Sequence, residues 1–275
     1  MPRFVAIYAR PDRREALELA REAYRRLREA GAEPAYDASI AGLLKGPAVD
    51  LRFEHVEGVV VIGGDGTLLR LLQLLGAHSP VLHLVRLGRR AFLFDEPPSE
   101  AMERLRDFVE DRYLVEEHRR LLVYARGVEA YALNEAAVLA LGSKVAGLRV
   151  ELEDGSLLYE GLEGDGLIVA TPTGSTAYSY SAGGSVIHPG LDAAVITPVN
   201  PVDRRMGSIV VPGSTRVRIR VERTTRPVKL IIDGVREYLL ARGAVVETVL
   251  RGPPVRIARY RERGLLRLPW SPSTS

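Results

Sequence analysis

The chain has 275 residues and no cysteine. That absence removes disulfide frameworks, thiol nucleophiles and cysteine-based zinc or iron–sulfur sites. Lysine is scarce: only Lys45, Lys144 and Lys229 stand among 38 basic residues. None of the three follows the glycine spacing of a Walker A loop, which excludes that nucleotide-binding motif. Asparagine is limited to Asn134 and Asn200, and glutamine to Gln73. Few amides, no cysteine and short proline-bearing connections are the composition of a thermophile protein. No apolar run approaches the ~18 residues of a membrane-spanning helix. The first strand-like run meets Arg10 too soon for a signal peptide. A cytoplasmic protein without a membrane partner is expected. No Gly-x-Ser-x-Gly elbow is present, so an α/β-hydrolase is a poor reading. His55, His78, His83, His118 and His188 form no metal-ligand spacing and read as ordinary surface or core residues.

What is present is a balanced, core-forming composition. Hydrophobic residues make up 46% of the chain, enough for a sizeable core. Length divided by ~150 points to about two domains. The formal charge is +3, and acidic residues follow basic ones closely, as in Arg13-Arg14-Glu15. A nucleic-acid binder concentrates its charge on one face, so this pattern reads as solvated surface with no nucleic-acid partner.

The first third alternates strand and helix signals. Phe4 to Ala9 is strand-like, and Arg13 to Ala30 is an amphipathic helix stopped by Gly31. Val56 to Ile62 is almost wholly apolar, as in a parallel strand buried on both faces. Thr67 to Leu75 is a leucine-rich helix closed by Gly76. Pro80 to Leu84 is the next strand. Ser99 to Val109 is a further helix with Ser99 as N-cap. Strand–helix alternation of this kind implies a parallel α/β layer. After Tyr113 the texture changes to short β-rich runs broken by turns: 121–125, 131–141, 148–152, 157–162, 167–171, 208–211, 217–221, 228–232 and 245–250. Their spacing predicts an all-β sandwich.

Three segments carry chemistry. The first is Gly63-Gly64-Asp65-Gly66-Thr67, which leaves the buried strand and opens a helix. Glycines permit sharp turning and close ligand approach, and the helix offers free N–H groups for a phosphate. Thr67 is expected as N-cap. A carboxylate in such a loop repels phosphate unless it has a task. Asp65 either holds Mg²⁺ or accepts a proton from an attacking hydroxyl. A plain Gly-Asp-Gly turn is the structural alternative.

The second segment runs from Gly164 to Gly184. An apolar strand leads into Thr171-Pro172-Thr173-Gly174-Ser175-Thr176, then a small helix from Ala177 to Ser181. Eight hydroxyls crowd here, at Thr171, Thr173, Ser175, Thr176, Tyr178, Ser179, Tyr180 and Ser181. Such a set suits ribose, phosphate or a base edge, and Tyr178 offers a stacking face. Helix capping accounts for one or two of them but not easily for all. The third segment is Asn134-Glu135 within an apolar β-like run. It fits a base and a ribose diol, or equally a turn or a satisfied buried pair.

Together these segments resemble the NAD kinase family, marked by Gly-Gly-Asp-Gly-[Thr/Asn], Asn-Glu and Gly-Asp-Gly…Thr-Pro-[Thr/Ser]-Gly-[Ser/Thr]-Thr-Ala-Tyr in that order. Here they stand as Gly63–Thr67, Asn134-Glu135 and Gly164–Tyr178. The long block is specific. The first loop is shared with diacylglycerol, sphingosine and phosphofructokinases. The resemblance implies an α/β N-terminal domain with a parallel, Rossmann-like sheet at residues 1–112 and a β-sandwich NAD-binding domain at 113–254. It also implies that residues 255–275 return to the first domain.

The implied activity is phosphoryl transfer from ATP or polyphosphate to the 2′-hydroxyl of the adenosine ribose of NAD, with Mg²⁺, giving NADP. Asp65 matches the general base, and Gly63, Gly64, Gly66 and Thr67 would cradle the donor phosphates. Asn134, Glu135, Asp165, Thr173, Thr176, Ala177, Tyr178 and Ser181 match NAD-contacting positions. Asn200 matches a position lining the pocket from a neighbouring subunit, which implies a homodimer or homotetramer. Arg70, one turn into the helix, is placed to meet a phosphate.

The chain departs from the family at three points. The glycine-rich Asn-x-Gly-x-x-Gly-Phe-Leu segment reads Arg86-Leu87-Gly88-Arg89-Arg90-Ala91-Phe92-Leu93. Glu163 replaces a residue that is often basic. Val235 replaces the glutamine of a late Asp-Gly-Gln. Two other readings compete: a lipid or sugar kinase of the same superfamily, and a non-catalytic NAD(P) sensor.

Overall fold

The apolar run ending at Ile62 lies in the middle of a parallel sheet. A computed structural model describes residues 3–88, 91–142, 145–223 and 228–262. Arg89, Arg90, Lys144 and the segment after 262, named above, lie outside the described residues. The chain forms two units: the residues up to Glu117 with the segment from Val255, and His118–Pro254.

In the first unit the elements are β1 (Phe4–Ala9), α1 (Arg14–Glu29), β2 (Glu33–Asp37), α2 (Ala38–Leu44), β3 (Ala48–Val49), β4 (Gly58–Gly63), α3 (Asp65–Leu75), β5 (Val81–Arg86), α4 (Pro98–Glu103) and α5 (Leu105–Val109). The strands run parallel in the order β3-β2-β1-β4-β5. Every residue of β4 is buried, as a strand covered on both faces requires. Helix α1 buries Ala16, Ala20, Ala23 and Leu27 along one stripe. Its opposite face pairs Arg14 with Glu18 and Arg25 with Glu29. Such exposed pairs are worth only ~0.3–0.5 kcal/mol each, so the buried stripe seats the helix. Gly31 follows at φ +88°, a left-handed turn that glycine adopts without penalty.

The expected helix at 99–109 is divided. Pro97 is the N-cap of α4, Ser99 lies inside it, and the chain breaks at Arg104 before α5. Proline in the first helical turn needs no N–H and is preset at the right φ, so Pro98 takes the start.

The second unit contains β6 (Leu114–Ala125), whose first residues belong to the first unit, β7 (Val128–Ala132), β8 (Glu135–Ala140), β9 (Ala146–Leu152), β10 (Leu157–Gly164), β11 (Gly166–Ala170), α6 (Tyr178–Ser181), β12 (Ala193–Val199), β13 (Ile209–Pro212), β14 (Val217–Arg223), β15 (Val228–Ile232), β16 (Arg236–Leu240) and β17 (Val245–Arg259). One antiparallel sheet has the order β13-β12-β11-β8-β15-β16. The other holds β10-β9-β14-β17, with β6 between β17 and β7. Val138, Leu167 and Val169 of the first sheet share a core with Leu148, Val150, Ile219 and Val246 of the second. This is the sandwich. Strand β14 shows the alternation, with Val217, Ile219 and Val221 buried and Arg218 and Arg220 exposed.

The expected run 131–141 is two strands, because the chain turns at Leu133-Asn134. Strand β17 runs on past Leu250, and its residues Arg256 and Ile257 pair in parallel with Val81 and Leu82 of β5. No described helix is long and apolar enough to cross a membrane.

Candidate active site

The loop after β4 is built by a close approach. A Cβ at Gly63 would overlap the Thr67 hydroxyl and lie 2.6 Å from the Thr67 Cβ. Gly64 is extended (φ −147°), and neither Gly63 nor Gly66 has a positive φ. Space rather than unusual backbone thus demands glycine at 63, while Gly66 opens onto free space. Gly64, not Thr67, is the N-cap of α3. The Thr67 N–H donates to the Gly64 carbonyl at 2.8 Å, and the Gly64 N–H approaches the Thr67 hydroxyl at 3.5 Å. Thr67 therefore closes the loop from the third helical position and is buried. Arg70 is exposed on α3.

Asp65 is the first residue of α3. Its two carboxylate oxygens accept the Phe92 N–H at 2.6 Å and the Leu93 N–H at 3.1 Å. The segment flagged above as a departure from the family thus orients the candidate base. The two amide donors fix the direction of both carboxylate oxygens.

In the second unit, Asn134 and Glu135 sit where β7 turns into β8. The turn is fastened by Asp233, whose carboxylate accepts the N–H groups of Leu133 (2.9 Å), Asn134 (2.7 Å) and Glu135 (3.2 Å). Asp233 in turn donates its own N–H to the Glu135 carbonyl at 3.0 Å. Asp233 and Gly234 form the tip of the β15–β16 hairpin, both with positive φ (51° and 66°). An Asp-Gly hairpin tip was therefore the available sequence signal for this residue. The Glu135 side chain is 8% exposed, and its Oε2 has no hydrogen-bond partner. Burial, reinforced by the Asp233 charge, pushes its carboxyl up to about 8. Burial also raises Asp233, against the pull of its backbone donors and the Arg120 charge.

The Gly164–Gly184 block packs directly on this turn. The Thr171 N–H donates to the Asn134 carbonyl at 2.9 Å, and its hydroxyl donates to the Leu133 carbonyl at 2.6 Å. A Cβ at Gly174 would overlap the Asn134 carbonyl. Most of these hydroxyls are engaged by other groups of the protein, beyond the one or two that helix capping explains. Thr173 pairs with His118 Nδ1 (2.9 Å), and Ser175 donates to the Pro172 carbonyl (2.7 Å) and accepts the Ile187 N–H (2.9 Å). Ser179 pairs with Thr197 (2.9 Å), and Thr176 donates to the Thr173 carbonyl (3.2 Å). Ser181 reaches the Ala177 carbonyl at 3.5 Å. These bonds freeze the segment 171–187. The rings of Tyr178 and Tyr180 are exposed, and Ala177 is half-buried. Asp165 and Asn200 are both exposed and joined by a 2.7 Å bond from Asn200 Nδ2. His118, read above as an ordinary residue, is a buried support for Thr173.

Comparison with known proteins follows the same division. Residues 5–113 match the ATP-NAD kinase N-terminal domain, and residues 133–254 match the ATP-NAD kinase C-terminal domain. An NAD kinase of Aeropyrum pernix is 40% identical over 250 residues, covering 90% of this chain and 89% of that protein. The chain belongs to the NAD kinase family. An NAD kinase of Thermococcus kodakarensis is 34% identical over 254 residues, covering 90% of each chain. A crystal structure of yeast NADH kinase complexed with NADH has a TM-score of 0.86 at 22% identity, covering 96% of this chain and 85% of that one, and establishes the fold. An NAD kinase from Archaeoglobus fulgidus in complex with ATP has a TM-score of 0.75 at 26% identity, covering 95% of each. The chain is thus a phosphotransferase acting on NAD.

Proposed function

We propose that the chain transfers the γ-phosphoryl group of ATP to the 2′-hydroxyl of the adenosine ribose of NAD, releasing ADP and NADP. The carrying observation is Asp65, held by two backbone amides at the mouth of a glycine loop and the start of α3. In this reading the Asp65 carboxylate takes the hydroxyl proton. The hydroxyl oxygen bonds to the γ-phosphorus, and the bond to the β–γ bridging oxygen breaks. Phosphoryl transfer depends on positioning and charge neutralisation more than on covalent chemistry. The N-terminus of α3 at Asp65 and Gly66, with Arg70, supplies positive potential for the donor phosphates. Asn134 and Glu135, with Asp165 and the Thr173–Ser181 segment, hold NAD, and the exposed Tyr178 offers a ring face for stacking.

Among the described residues no three metal-binding side chains lie together. Mg²⁺ belongs to this reading as part of the nucleotide substrate, carried on its phosphates. The likeness to the ATP-bound Archaeoglobus fulgidus protein supports ATP as the donor. A homodimer or homotetramer, with Asn200 lining a neighbouring subunit's pocket, belongs to this reading, and sedimentation checks it.

The test is NADP formation from NAD with ATP or polyphosphate in separate reactions, run hot with Mg²⁺. The expected result is NADP with ATP, and a loss of ~10²–10⁴ in kcat for Asp65→Asn, the range for a general base. NAD binding without turnover under either donor would make the chain a sensor. Turnover of a lipid or sugar but not NAD would reverse the substrate assignment. Equal turnover by Asp65→Asn and wild type would remove Asp65 as base.

A further inference from the structure

We propose that Arg259 is a positioning residue for Asp65, acting through the Leu93 peptide. The inference rests on the reading of Asp65 as the base.

Both oxygens of Asp65 are held by the Phe92 and Leu93 amides. Those amides belong to the described residues 91–97 before α4, which form no helix or strand. Such a stretch keeps its shape through the bonds made to it and the burial of Leu93 and Phe94. Arg259 supplies two of those bonds. Its Nη1 donates to the Leu93 carbonyl at 2.9 Å and meets Asp95 Oδ2 at 3.1 Å. Its Nε donates to Glu116 Oε2 at 2.6 Å. The residue whose N–H holds the base is thus held by its own carbonyl.

The Arg259 side chain is 8% exposed, and the side chains of Asp95 and Glu116 are 12% and 9% exposed. A buried charge cluster of this kind adds little stability over apolar packing, because desolvation offsets attraction. What it provides is geometry. The planar guanidinium holds the carbonyl and the two carboxylates at once, which a lysine ammonium on a flexible stem cannot match. Strand β17 gives the arginine a rigid base, since Arg256 and Ile257 pair with Val81 and Leu82. A displacement of about 1 Å at a reacting group is enough to cost ~10²-fold in rate.

The test uses the full chain with Arg259→Lys, which keeps the buried charge beside Asp95 and Glu116, and Arg259→Met. Asp65→Asn is measured beside them. For Arg259→Lys the expected result is a ten- to hundredfold fall in kcat with KM for NAD within threefold. Hydrogen exchange at the Phe92 and Leu93 amides should quicken at least tenfold. Wild-type kcat and wild-type protection of those amides in Arg259→Lys would overturn the proposal, even where Asp65→Asn is inactive. A lowered melting temperature with unchanged kcat would mark Arg259 as structural only, and would also overturn it. Wild-type turnover by Asp65→Asn would instead remove the base assignment, and amide exchange would then test the Arg259–Leu93 link separately. Should Arg259→Met fail to fold, Arg259→Lys and Asp95→Asn carry the same measurements.

Discussion

Gly174 lies so close to the Asn134 backbone that a Cβ on it would overlap the Asn134 carbonyl oxygen. The contact joins the two segments of the second unit that are proposed to bind NAD, which are separated by a whole hairpin in sequence. It is reinforced by the Thr171 N–H on the same carbonyl. Gly174→Ala must push one segment away from the other. Overpacking against backbone costs about 3 kcal/mol, at the upper end of such changes. The expected outcome is a lower unfolding midpoint in denaturant and at least a tenfold rise in KM for NAD. An unchanged KM would separate this contact from NAD binding.

A second prediction concerns Asp233. Its carboxylate accepts the Leu133, Asn134 and Glu135 amides. Asn at this position keeps one carbonyl oxygen and turns an NH₂ toward amide donors. Losing hydrogen bonds to a buried charge costs ~2–3 kcal/mol. Asp233→Asn should therefore destabilise the chain and raise KM for NAD. It also removes a negative charge that raises Glu135, so the Glu135 carboxyl should titrate lower. Carbon-13 NMR of the labelled carboxyl measures that shift; an unmoved Glu135 would show that burial alone holds it up.

The loop at Gly63 yields a double-mutant test. A methyl at 63 collides with Thr67, chiefly its Oγ1, Cβ and Cγ2. Gly63→Ala alone should cost ~2 kcal/mol or more. Adding Thr67→Ala removes Oγ1 and Cγ2, so it should recover part of the loss. A coupling energy of about 1 kcal/mol or more between the two sites is the expected result from denaturant melts. Strict additivity would mean that the collision does not set the need for glycine.

Much of this was legible in the sequence, and the pattern of misses has physical causes. Strand β4 and helix α3 were readable because a wholly apolar run ends at glycines and a leucine-rich helix follows. Strand β12 was not, because Pro198 interrupts an otherwise apolar run. Strand β13 covers only Ala193–Ile196 of β12, so Pro198 faces no donor-hungry neighbour on that side. Strand β16 (Arg236–Leu240) is short, charged and at the sheet edge, and carries little apolar signal. Elements β2, α2 and β3 follow one another with almost no connecting residues, so no turn marks their limits. In the site, the motif residues themselves were readable, but their supports were not. Asp233 reaches back about a hundred residues to Asn134, and His118 reaches 55 residues forward to Thr173. Hydroxyls that look available in a sequence are already engaged, several by residues outside the segment such as Leu133, His118 and Thr197.

The last prediction is a pH profile with two opposed limbs. Glu135 titrates at about 8 in the folded chain, against an ordinary value of 4.5. Between those values the folded state binds the proton and the unfolded state does not. Its contribution is therefore present at acid pH and is lost as pH rises toward 8. His83 behaves oppositely. Fully buried between Tyr260 and the Ala101 carbonyl, it is lowered to about 4 from 6.5. It must stay neutral to remain folded, so its contribution is present above 6.5 and is lost as pH falls toward 4. Each fully linked group changes stability by ~1.4 kcal/mol per pH unit within its window. Glu135→Gln should remove the alkaline decline between pH 6 and 8, above the window of the raised Asp233 carboxyl, while leaving the acid limb in place. Melting temperatures of the variant and wild type, taken from pH 4.5 to 8, measure this directly. A difference between the two that stays constant across that range would mean that Glu135 has no raised proton affinity in the folded chain.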